Sequence, residues 1–138
     1  MLADLIRQEF GIAEDYSCAE KILHGANKAY NLGLDAKSLK MSAGFGGGMA
    51  IGSFCGAISA SIMVLGIFFV EQRSHESLKI KEIEKEFIDT FKKEMGFINC
   101  QFLKPIYFED RRCIATVGKA AEILDNILKR EGKLPQQC

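Results

Sequence analysis

Apolar residues recur at helical spacing along most of this chain. Leu2, Leu5, Ile6 and Phe10 form one face of a short helix that stops near Gly11. Ser17-Cys18-Ala19-Glu20 reads as a capping box, with Ser17 as N-cap and Glu20 three residues into the helix. This second helix is predicted to run through Ala29-Tyr30 and to end by Gly33. Its inward face carries Cys18 or Ala19, then Ile22, Leu23, Ala26, Ala29 and Tyr30. Asp35 caps a short helix over 37–43. A long charged helix, capped by Ser74 or Ser77, runs to Met95 with Ile80, Ile83, Phe87, Phe91 and Met95 on one stripe. Gly96 ends it. Residues 97–108 are predicted to be irregular, with Pro105 as a breaker. Asp110 caps a last helix whose Ile114, Val117, Ala121, Leu124 and Leu128 face inward, and Gly132 and Pro135 stop it.

Residues 49–70 break the amphipathic rule. They carry no charge for 22 residues, long enough to span a bilayer. Gly48, Gly52, Gly56 and Ala60 add a stripe of small residues that suits close helix pairs in membrane or in water. The flanking amphipathic helices favour a buried central helix, because they can surround it and no basic cluster marks a cytoplasmic side. No stretch alternates with period two. The expected fold is all-α: one domain over 1–138, a helical bundle around a central apolar helix at 49–70. The small-residue stripe also fits a homodimer.

Composition narrows the function classes. Lys plus Arg equals Asp plus Glu at 18 each, so there is no basic footprint for nucleic acid, and there is no Trp for a base-stacking platform. The N-terminal residues have neither a basic start nor an apolar run of the signal-peptide kind. The expectation is a cytoplasmic, reducing setting. There, five cysteines point to catalysis, redox chemistry or metal ligation rather than structural disulfides.

Four cysteines are the candidate site: Cys18, Cys55, Cys100 and Cys113. Cys18 is expected at the first position of its helix, Cys113 at the third position of the last helix, and Cys55 one to two turns into the central helix. Helix N-termini favour a thiolate over a thiol. Arg111 and Arg112 add positive charge, so Cys113, or Cys55 beside the glycine run, is the expected attacking thiolate. Against this stands the habit of cysteine to pack as a small buried hydrophobe. No Cys-x-x-Cys pair exists, so any pair or cluster must be assembled by the fold. Four converging thiolates could hold zinc or an iron–sulfur cluster, while two could form a reversible disulfide.

The glycine run Gly44-Phe45-Gly46-Gly47-Gly48 is the second candidate. Gly46, Gly47 and Gly48, with Gly56, could cradle an anion or cofactor at a helix start. Equally, they could serve only close helix packing. The run is not a P-loop, since Ser53 stands where Lys is required, and it lacks the strand and third glycine of a dinucleotide site. His24 and His75 could ligate metal but read as solvated histidines. The serines of the apolar helix are expected to bond back to its carbonyls.

Together Cys18, Gly44-Phe45-Gly46-Gly47-Gly48-Met49, Cys55-Gly56-Ala57, Cys100 and Cys113 resemble the C_GCAxxG_C_C family, whose members are thought to be redox-active. The resemblance spans Ser17 to about Leu128 and covers the order of all four cysteines. It implies a redox role for those cysteines, a link to transporter systems and a kinship with split-Soret haem proteins. Covalent haem is not expected, because Cys-x-x-Cys-His is absent. Ala60 stands where the motif ends in glycine, and Cys138 falls outside the pattern. Three functions follow as expectations. The first is a thiol–disulfide centre using Cys55 with one or more of the others, working with a redox partner. The second is a metal or iron–sulfur module on the same four cysteines, and the third a transporter-associated interaction protein without catalysis.

Overall fold

A computed structural model describes residues 1–108 and 113–135. These form seven α-helices and no strand: α1 (Leu2–Arg7), α2 (Cys18–Ala29), α3 (Ala36–Lys40), α4 (Gly56–Phe69), α5 (Lys79–Met95), α6 (Cys100–Tyr107) and α7 (Ile114–Arg130). The all-α expectation holds. The start of α2 matches its capping box: Ser17 Oγ accepts from the Glu20 N–H at 3.3 Å, and the Glu20 carboxylate accepts from the Ser17 N–H at 3.1 Å. Asp35 caps α3 through the Ser38 N–H at 2.8 Å. The α5 stripe from Ile80 to Met95 is buried, and Gly96 follows it at φ 89°. The start of α5 differs from expectation, because Leu78 is the N-cap and Ser74 begins a separate short turn.

The central apolar helix is shorter than the hydropathy pattern predicts. It begins at Gly56, not near Met49, because Gly47, Gly48, Met49 and Ala50 all take left-handed backbone angles, with φ of 61–66°. The Ser53 N–H closes this turn on the Gly48 carbonyl at 3.0 Å. No helix among the described residues is long and apolar enough to cross a membrane. Helix α4 packs against α2, α5 and α7 and supplies Ala57, Ile58, Ala60, Val64 and Leu65 to the core. Ser61 Oγ bonds back to the Ala57 carbonyl at 2.6 Å, as its apolar surroundings require.

Residues 100–107, expected to be irregular, form α6 despite Pro105. The missing proline N–H leaves only the carbonyl four residues back, that of the exposed Gln101, without its helical donor. Leu103 anchors the helix in the core.

Asp125 joins the two ends of the chain. It is 5% exposed on α7, and its carboxylate accepts from the N–H groups of Leu2 and Ala3 at 3.1 and 2.9 Å and from the Tyr30 hydroxyl at 2.7 Å. A side chain on α7 thus caps α1, which is too short to hold its own first turn. Burial and the neighbouring carboxylate push the Tyr30 phenol above its ordinary pKa.

Candidate functional site

Each of the four cysteines sits at a helix N-terminus. Cys18 is the first residue of α2, as expected. Cys55 is the N-cap of α4, rather than one to two turns inside it. Cys100 opens α6. Cys113 is the N-cap of α7 in a left-handed conformation (φ 61°), not its third residue. The expected cap Asp110 and the charges of Arg111 and Arg112 lie outside the described residues, as does Cys138.

Backbone pairing joins the two middle cysteines. Phe54 and Asn99 form an isolated antiparallel bridge. Across it the Cys55 N–H bonds to the Ile98 carbonyl at 2.8 Å, and the Cys100 N–H to the Ser53 carbonyl at 2.7 Å. The starts of α4 and α6 are therefore locked side by side. The tight packing of α2 on α4 adds Cys18. A β-carbon on Gly56 would lie 2.8 Å from Cys18 Sγ, 2.8 Å from the Phe45 carbonyl oxygen and 3.2 Å from Ala19 Cβ. Glycine after Cys55 is what lets the two cysteine-bearing helix starts touch.

The glycine run serves the same junction. A β-carbon on Gly46 would meet Ser17 Cβ at 2.8 Å, so this residue packs on the α2 cap. Gly48, at φ 63°, leaves no room for a side chain between the Ser53 backbone and Cys100 Cβ. Gly47 lines the cavity described below, and its N–H donates to Cys18 Sγ.

All four are free thiols. Cys18 is the cysteine whose pKa is lowered, to about 6. The largest cause is the Cys55 thiol, which donates to it. Burial opposes, and the N–H groups of Gly47, Ala19 and Gly56 add further stabilisation of the thiolate. The complement of this bond appears at Cys55, whose thiol is pushed up by its hydrogen bond to Cys18, by burial and by the charge on Cys18. Burial and the Cys18 charge also raise Cys100. Cys113 is raised by burial, then by Cys18 and Cys100, with Lys104 and Lys21 opposing.

Cys18, Cys100 and Cys113 line one cavity of about 250 Å³, together with Tyr16, Lys104 and Phe108. Cys55 is buried and does not line it. Ala60, the departure from the glycine motif, is fully buried in the core and does not line this cavity. Four thiolates are a suitable donor set for zinc or iron–sulfur. Among the described residues, however, no three His, Cys, Asp or Glu side chains are grouped to hold an ion. His24 stacks on Tyr16 with ring centroids 4.2 Å apart, and His75 lies in an exposed turn.

The structure adds two lysines that sequence reasoning passed over. Lys21, one turn after Cys18, is only 1% exposed. Burial pushes its ammonium below the ordinary pKa, while Cys18 and Cys113 hold it up. Lys104 stands one turn after Cys100 at the cavity wall. The signal was present: a lysine three or four residues after a cysteine on one helix shares its face.

The family model described as "Putative redox-active protein (C_GCAxxG_C_C)" matches residues 16–127. No curated protein and no solved structure matches the chain. The matched span contains all four cysteines, the glycine run and the tight Gly56 contact. The chain belongs to the C_GCAxxG_C_C family of putative redox-active proteins.

Proposed function

We propose that this protein is a thiol–disulfide exchanger in which Cys18 is the attacking thiolate and Cys55 the resolving thiol. This reading is supported by the packing of Cys18 Sγ against Gly56, the residue after Cys55, and by the lowering of the Cys18 pKa to about 6 through the Cys55 thiol and the N–H groups of Gly47, Ala19 and Gly56. At neutral pH such a thiol is mostly ionised, whereas an unperturbed cysteine is mostly protonated. This assignment replaces the sequence expectation of Cys113 or Cys55, both of which are pushed up.

The Cys18 thiolate attacks one sulfur of a substrate disulfide. That S–S bond breaks, one substrate thiolate leaves, and a mixed disulfide with Cys18 forms. Cys55 then attacks Cys18 Sγ, its proton passing to the departing second substrate sulfur. The substrate gains two electrons and becomes two thiols, while Cys18 and Cys55 become a disulfide. A dithiol protein returns the pair to the reduced state by the reverse exchange. Cys100 and Cys113 border the approach to Cys18.

Reaction with an aromatic disulfide that releases a coloured thiol tests this. The wild type is expected to release two equivalents quickly and to end as Cys18–Cys55 disulfide. Cys55→Ala is expected to release one from this pair and to stay as a mixed disulfide on Cys18. Rapid release that survives Cys18→Ser rejects the assignment. The metal reading is separated by anaerobic purification: stoichiometric zinc or iron retained through gel filtration and lost on cysteine replacement would favour it instead.

A further inference from the structure

Residues 48–54 and 97–108 carry a single charge, Lys104, in a chain that is 26% charged. These two segments are packed together. The Phe54–Asn99 bridge joins them, and a β-carbon on Gly52 would lie 2.8 Å from Gln101 Cβ. Their large side chains are left exposed: Met49, Ile51, Phe54, Phe102, Ile106 and Phe108 are each 40–77% exposed. Phe97 joins them, its ring centroid 5.4 Å from that of Phe102. Lys104 does not interrupt the surface, since its ammonium lies over the Phe108 ring at 4.9 Å.

At about 200 Å² per large side chain, the exposed parts of these seven residues sum to roughly 700 Å². The largest apolar patch on a typical monomer is about 300–600 Å². A stable interface buries about 800 Å² per partner, so this face is close to the area a dimer needs.

We propose that this face, built from the 48–54 turn, residues 97–99 and α6, is the interface between two copies of this chain. A two-fold interface brings a surface against itself, which an uncharged apolar face allows and a charged face resists. A membrane surface would call for several lysines or arginines, and within these two segments only Lys104 is charged. The left-handed turn at 47–50 fixes the backbone that presents Met49 and Ile51, so little flexibility is lost on association. Cys100 and Phe108 line the thiol cavity, so the second copy borders its mouth.

Sedimentation equilibrium across micromolar concentrations tests this on the full chain. Twice the monomer mass is expected for the wild type. Ile51→Glu and Phe102→Glu, both at exposed positions, are expected to weaken association at least tenfold, with the helical circular dichroism unchanged. Leu78→Glu, at an exposed site on another part of the surface, is expected to leave the dimer intact. A wild type that stays monomeric throughout, whether or not it binds phosphatidylcholine vesicles, overturns the proposal. So does a dimer that both glutamate variants retain. Neither outcome bears on the chemistry of Cys18.

Discussion

A thiol hydrogen bond between two cysteines divides their roles at the residue scale. Cys18 is lowered because Cys55 donates to it, and Cys55 is raised by the same bond. Cys55→Ala removes the leading cause, so the Cys18 pKa is expected to rise from about 6 toward the ordinary thiol range, read by absorbance of the thiolate against pH. The sign for stability follows. A depressed pKa contributes stability that is complete above the unfolded value and is lost as the pH falls through about 6. Gly56→Ala is a second residue-scale test. Its methyl would sit 2.8 Å from both Cys18 Sγ and a backbone oxygen, and backbone cannot yield cheaply. A cost of about 1–3 kcal/mol is expected in urea unfolding. The cost should come with slower alkylation of Cys18, which an ordinary core clash elsewhere would not produce.

Helices defined by local chemistry were legible, and those defined by tertiary contacts were not. The Ser17–Glu20 capping box fixed the start of α2 and hence the place of Cys18. The stripe from Ile80 to Met95 fixed the buried face of α5. By contrast, the uncharged run from Met49 hid a helix start at Gly56, because hydropathy does not register a left-handed turn that includes Met49 and Ala50. Pro105 concealed α6, a helix held by Leu103 and by backbone pairing across Ser53. Asp125 looked like an ordinary polar residue of α7, yet it caps α1 from 122 residues away. Asp125→Ala would leave two buried N–H groups and the Tyr30 hydroxyl without this acceptor. A loss of about 2–4 kcal/mol is expected, measured by thermal or urea unfolding, with α1 released first in hydrogen exchange.

Over the whole molecule, the fold is a device for bringing helix starts together. Residues far apart in sequence, on α2, α4 and α6, meet through a left-handed turn, a two-residue bridge and one glycine contact, and Cys113 at the start of α7 lines the same cavity. Sequence reasoning named the four cysteines but ranked Cys113 or Cys55 first, because local helix starts and charges do not show the contact that lowers Cys18 and raises Cys55. Oxidation of Cys18 and Cys55 would tie α2 to α4 covalently. The oxidised protein is therefore expected to unfold at higher temperature than the reduced one, by up to about 4 kcal/mol of loop-closure entropy. The most direct test of the central claim is site-resolved alkylation of the reduced protein by iodoacetamide between pH 4.5 and 10, read by mass spectrometry of each cysteine peptide. The account predicts that Cys18 reacts with a midpoint near pH 6 while Cys55, Cys100 and Cys113 react only in alkaline solution. A Cys18 midpoint at or above about 8.5, the ordinary thiol value, would contradict it.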